Sequence, residues 1–99
     1  MKKGDRMLKI KKNEKKVWVT FTVVPETEHE YVEIIGSWND WKKEKMKQKK
    51  DGSFYITKVL PLDQMYEFKY LLNGSEWVND VDAMQTENVF GSMNSVIDI

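Results

Sequence analysis

No cysteine occurs in this chain of 99 residues, so a disulfide frame and any thiolate metal site are excluded and a small core must stand on packing alone. The five glycines, Gly4, Gly36, Gly52, Gly74 and Gly91, never fall into the spacings of a phosphate-cradling loop. Histidine occurs once, as His29 between Glu28 and Glu30, which reads as an exposed loop residue. With no cysteine nucleophile, and with Ser37, Ser92 and Ser95 all outside a nucleophile-elbow sequence, neither a thiol nor a serine triad can be assembled. No catalytic residue is therefore expected. Asp80 and Asp82 are the one acidic pair worth weighing as a metal site, but the remaining positions of a calcium loop are missing. The expectation is no metal and no cofactor.

Long apolar runs are also lacking. Nothing approaches the roughly 18 residues a membrane span requires, and Met1-Lys2-Lys3 leads into further charge rather than into a signal segment. A cytoplasmic protein without a membrane partner is the expected class.

What is present is globular composition: 40% hydrophobic residues, with four Trp, four Tyr and four Phe, in a length that suits one domain. Basic and acidic residues balance at 16 each, yet residues 1–50 hold 14 basic and 8 acidic groups while residues 51–99 hold 2 and 8. Eight of the basic side chains fall within residues 1–16, which read as a basic arm or edge strand ahead of a folded domain at 17–99.

Within that domain, Val17, Val19, Phe21 and Val23 alternate with Trp18, Thr20 and Thr22, the period of a half-buried strand ended by Pro25. Residues 31–35 form a second β-rich run. Asp51-Gly52 is a turn ahead of a strand at 54–60. The clearest alternation is Tyr66, Phe68, Tyr70 and Leu72 against Glu67, Lys69 and Leu71, which turns Lys69 away from the aromatic face. Asn73-Gly74 supplies a hairpin turn that returns Glu76-Trp77-Val78 alongside, and residues 95–99 close as a final strand. Residues 42–50 read as a solvated loop or short edge strand, and 80–91 as an irregular loop. Several short strands with turn signals between them predict an all-β fold, an antiparallel sandwich of two packed sheets.

Two indoles three residues apart, Trp38 and Trp41, sit in the turn Gly36-Ser37-Trp38-Asn39-Asp40-Trp41, where polar residues would be the cheaper choice. Trp41, flanked by Asp40 and Lys42, is poorly placed for burial. With Trp77 and the outward Lys69 it makes two aromatic planes and a long donor. Sugars suit such a surface, because the C–H face of a pyranose packs on an indole while its hydroxyls need polar partners. Nucleobases would suit the planes equally.

Read in order, Gly36-Ser37-Trp38-Asn39-Asp40-Trp41, Asp51-Gly52-Ser53-Phe54, Leu60-Pro61, Tyr66-Glu67-Phe68-Lys69-Tyr70, Asn73-Gly74 with Trp77, and the run from Gly91 to Ile97 together resemble carbohydrate-binding module family 48. That family includes the glycogen-binding domain of the AMP-activated protein kinase β subunit and the N-terminal domains of isoamylase and branching enzymes. The resemblance implies an immunoglobulin-like β-sandwich that binds α-1,4-linked glucan (glycogen, starch or maltooligosaccharide) without catalysis. It further implies stacking by Trp41 and Trp77 and hydroxyl bonds from Lys69 and Asn94. Phe90 and Ser92 would stand where kinase-subunit members carry a contacting leucine and threonine. Trp38 occupies a slot where phenylalanine is usual and is expected to pack inward. The partner would be the glucan together with a glycogen-metabolising enzyme or kinase-like protein. Two alternatives stand beside this reading: an interaction domain that docks onto a partner enzyme with weak or no glucan binding, and a single-stranded nucleic-acid binder using the lysines of 42–50.

Overall fold

A computed structural model of the chain describes residues 6–25, 31–80, 83–88 and 91–99. His29, Val81, Asp82 and Phe90 lie outside the described residues. Among the described residues ten strands follow in order: β1 (Arg6–Lys12), β2 (Lys16–Val23), β3 (Val32–Gly36), β4 (Lys43–Lys45), β5 (Lys47–Gln48), β6 (Phe54–Pro61), β7 (Met65–Leu72), β8 (Glu76–Val78), β9 (Met84–Glu87) and β10 (Met93–Asp98). They form two antiparallel sheets, ordered β1-β2-β6-β5 and β4-β3-β7-β10-β9, with β8 paired to β7 beside the latter path. The architecture is an all-β sandwich, and no described helix is long and apolar enough to cross a membrane.

Side-chain alternation puts the core between the sheets. Val17, Val19, Phe21 and Val23 of β2 are all fully buried and face Val32, Ile34, Phe68 and Tyr70, also fully buried, from the second sheet. Each such side chain removed from water contributes roughly 1.5–3 kcal/mol, and in a chain without cross-links these terms carry the fold. Leu71 is the exception on β7: it belongs to the outer face by alternation, yet it is 2% exposed, with Glu33 and Trp77 as its cross-strand partners.

One segment differs from the sequence expectation, and two resolve alternatives it left open. Residues 80–91, read as irregular, contain β9, which pairs with β10 from Met84↔Val96 to Met93↔Glu87. Its side chains are mostly exposed, so no hydrophobic alternation marks it. Residues 42–50 divide between the two sheets: β4 pairs with β3 and β5 with β6. Met46, buried between them, donates its N–H to the Val32 carbonyl at 2.8 Å. The basic N-terminus, read as an arm or edge strand, supplies edge strand β1, in register with β2 from Arg6↔Val23 to Lys12↔Val17.

Asp80, weighed above as a metal ligand, has a structural role. It is fully buried, its carboxylate accepts from the Tyr70 hydroxyl at 2.6 Å, and its N–H donates to Ser95 Oγ at 2.8 Å. Ser95 Oγ in turn donates to Asn79 Oδ1 at 2.9 Å. The chain leaving β8 is thereby fixed to β7 and β10, as burial of polar groups requires.

The turn after β3 is a short 3₁₀ segment, Ser37–Asn39. From it Trp38 folds back over Gly36 and onto the core edge, 5.3 Å from the Phe21 ring and 6.2 Å from Phe68, centroid to centroid. Gly36 has an extended backbone that any residue could adopt. What it lacks is a Cβ, which would lie 2.5–2.6 Å from three carbons of the Trp38 indole. Gly36→Ala is expected to expel the indole and cost about 1–3 kcal/mol, the range for overpacking. Chemical denaturation followed by tryptophan fluorescence measures this, and a midpoint equal to that of wild type would refute it.

Candidate functional site

Trp41 is presented by an unusual piece of backbone. Asp40 and Trp41 are consecutive non-glycine residues at φ 61° and 63°, a left-handed conformation that L-residues seldom adopt. The Trp41 N–H closes back onto the Gly36 carbonyl at 3.0 Å, the six-to-one bond that commonly ends a helical turn. Asn39 Oδ1 accepts from the Lys42 N–H at 3.1 Å. So held, the Trp41 side chain is 42% exposed. Strained backbone of this kind is concentrated where function constrains the chain.

The same turn is fastened by Glu44. Its Oε1 accepts from Trp38 Nε1 at 3.1 Å and from Asn39 Nδ2 at 2.8 Å, while Oε2 pairs with Lys58 Nζ at 2.6 Å. Lys58 belongs to β6 and Glu44 to β4, so one carboxylate joins the two sheets and the aromatic turn. Burial works to raise the Glu44 pKa, but the hydrogen bonds from Lys58 and Trp38, with the Lys58 charge, outweigh it and hold the carboxyl below its ordinary value.

Trp77 comes from β8. The hairpin before it uses Asn73 and Gly74 at φ 50° and 71°, with Ser75 N–H on the Leu72 carbonyl at 3.1 Å, the geometry Asn-Gly favours. Tyr31 braces this turn, since its carbonyl accepts from the Asn73 N–H at 3.0 Å and its N–H donates to Asn73 Oδ1 at 3.3 Å. The three-residue connection 73–75 leaves Trp77 in register with Leu71 and 53% exposed. Lys69, half-buried on the outer face of β7, is in register with Ile35.

These parts meet. A concavity of about 490 Å³ on the outer face of the second sheet is lined by Ile35, Trp41, Lys69, Trp77, Asn88 and Ser92. Four residues expected from the sequence, Trp41, Lys69, Trp77 and Ser92, thus share one groove. Asn94 is not among the lining residues. It is 5% exposed, its Nδ2 donates to Glu67 Oε1 at 3.0 Å, and its Oδ1 accepts from Asn88 Nδ2 at 3.1 Å. The groove-lining amide at this end is Asn88, which sequence reasoning did not single out. Its Oδ1 receives the Ser92 N–H at 3.2 Å and its N–H donates to the Ser92 carbonyl at 2.7 Å. The signal was an asparagine three residues ahead of the Gly91-Ser92 pair, the composition of a side-chain-closed turn.

The class defined by this fold and groove is an all-β module with an open groove lined by aromatic and polar side chains. A family model described as the glycogen recognition site of AMP-activated protein kinase matches residues 19–99, and the chain belongs to that family of carbohydrate-binding modules. A search of curated proteins gave no match.

The Glu44 clasp has a pH signature. A carboxyl whose folded pKa lies below its unfolded value of 4.5 stabilises the fold fully above that value. The contribution is lost as pH falls through the lower, folded value. Acid titration of stability should therefore show wild type losing ground below pH 4.5. In Glu44→Gln that part of the slope should flatten, and at neutral pH the variant should be about 1–2 kcal/mol less stable, the scale of a charged hydrogen bond weakened at a partly exposed site. Parallel acid profiles for the two proteins would contradict this.

Proposed function

We propose that the groove binds an α-1,4-linked glucan, with Trp41 and Trp77 as stacking platforms and Lys69 as a donor to sugar hydroxyls. Ser92 and Asn88 add a hydroxyl and an amide at the far end. Asn94 serves the same site from beneath by fixing Asn88. A contact from Phe90 belongs to this reading on the family resemblance alone. The observation that carries it is that two exposed indoles from separate elements, together with Lys69, line one concavity. Indole planes and hydroxyl-bonding groups side by side are the chemistry a pyranose requires, and the family description names glycogen. The exposure of Trp77 favours this groove over a docking domain that would bury it.

In this reading the module has no catalysis of its own. It is a cytoplasmic tether that holds a glycogen-metabolising enzyme or kinase-like partner near the polymer. The glucan-binding unit is residues 17–99, with the basic segment 1–16 as its edge. Two aromatic contacts at about 0.5–1.5 kcal/mol beyond area burial and a few hydrogen bonds of similar size set against association entropy give weak binding. The dissociation constant should fall between roughly micromolar and millimolar.

Co-sedimentation with glycogen tests the proposal. Wild type should be retained at both low and moderate salt, because no ion pair is needed. Trp41→Ala and Trp77→Ala should each weaken retention by about tenfold or more, as losing roughly 1.5–3 kcal/mol of aromatic contact implies. Retention of both variants at the wild-type level would sink the proposal. Binding that instead collapses steeply with salt would indicate a polyanion ligand.

A further inference from the structure

Three of the four tryptophans have a place in the core edge or the groove. Trp38 packs on the core edge, and Trp41 and Trp77 line the groove. Trp18 has no such role. It alternates outward from β2 while Val17 and Val19 are buried, and its indole N–H makes no hydrogen bond among the described residues. Its cross-strand partners are Lys11 on β1 and Val59 on β6, and Val59 is itself 50% exposed.

Around Trp18 lies a hollow of about 280 Å³ lined by Lys9, Lys11, Trp18 and Thr20. Thr20 and Thr57 share a hydroxyl–hydroxyl bond of 2.9 Å one row further along the same face. Neither lysine is drawn into an ion pair among the described residues. The composition repeats that of the groove: one indole plane, flexible ammonium donors and a hydroxyl. The position does not, because this is the outer face of the first sheet, and the groove is on the outer face of the second.

Resting on the glucan reading of the groove, we infer that the Trp18 hollow is a second α-glucan contact, weaker than the first, so that one module engages two glucan chains on opposite sides. A single indole offers one stacking platform where the groove offers two, which sets the order of affinity. A branched polymer presents many chain ends to both faces, so the second contact becomes effectively intramolecular and raises avidity without new chemistry. A polyanion is the less suitable occupant: the hollow carries two ammonium groups, fewer than the several phosphate contacts that hold nucleic acid at physiological salt.

Titration of the full chain with maltoheptaose, followed through the four indole N–H resonances by NMR, decides the matter. The Trp41 and Trp77 signals should move first and together. The Trp18 signal should follow a separate isotherm with a dissociation constant several-fold higher, and should follow it unchanged in Trp77→Ala. Trp18→Thr, a residue suited to an exposed strand, should leave the first isotherm intact while lowering affinity for glycogen by about tenfold through lost avidity. The double variant Lys9→Ala/Lys11→Ala should weaken the Trp18 isotherm alone, which separates binding from any folding defect of the tryptophan variant. A Trp18 resonance that stays fixed while Trp41 and Trp77 move would overturn the second contact and leave the groove intact. If none of these resonances moved, both readings would fall. Movement of Trp18 with a single-stranded oligonucleotide but not with maltoheptaose would likewise overturn the inference.

Discussion

The turn that presents the Trp41 indole to solvent is fastened to both sheets by the carboxylate of Glu44. Through Trp38 Nε1 it fixes the ring that plugs the core edge, through Asn39 Nδ2 it fixes the turn that carries Trp41, and through Lys58 it reaches the opposite sheet. A half-exposed carboxylate is normally a weak stabiliser. Here three donors share it, two from the 3₁₀ turn and one from β6. The left-handed pair Asp40 and Trp41 can persist because the residues on either side are tied down. The position of the Trp41 indole is therefore set by the packing of the two sheets.

The opposite end of the groove is organised by polar groups. Glu67, Asn94, Asn88 and Ser92 form a chain of side-chain and backbone bonds running from β7 across β10 to the turn that lines the groove. Asn94 is buried within it, and its amide is engaged at both ends. A groove fixed at one end by indole packing and at the other by an amide chain would lose little freedom on binding the proposed glucan, which would lower the entropic cost. In the proposed glucan complex the aromatic end would supply contact area and the amide end direction.

Much of this was legible from residue order. The period of two in β2 and β7 showed because each strand has one face against the core, and Asn73-Gly74 announced its hairpin because both residues tolerate positive φ. Trp41, Lys69 and Trp77 could be selected because exposed indoles next to polar residues need a reason. The failures have physical causes as well. Met84 to Glu87 makes a strand whose side chains are mostly exposed, so no burial pattern betrays it. The division of residues 43–48 between two sheets depends on one buried side chain, Met46, in a lysine-rich stretch. Asn88 enters the groove, and Asn94 withdraws from it, through a pairing of β9 with β10 that no local pattern encodes.

The N-terminal strand has a bearing on colloidal behaviour. β1 is the outermost strand of the first sheet, and a long regular edge invites another chain to add to it. The protein carries a formal net charge of zero, so long-range repulsion between molecules gives no protection. Lys9, Lys11 and Lys12 on that edge do locally what the overall charge does not, because a second copy in edge-to-edge register would bring its own ammonium groups against them.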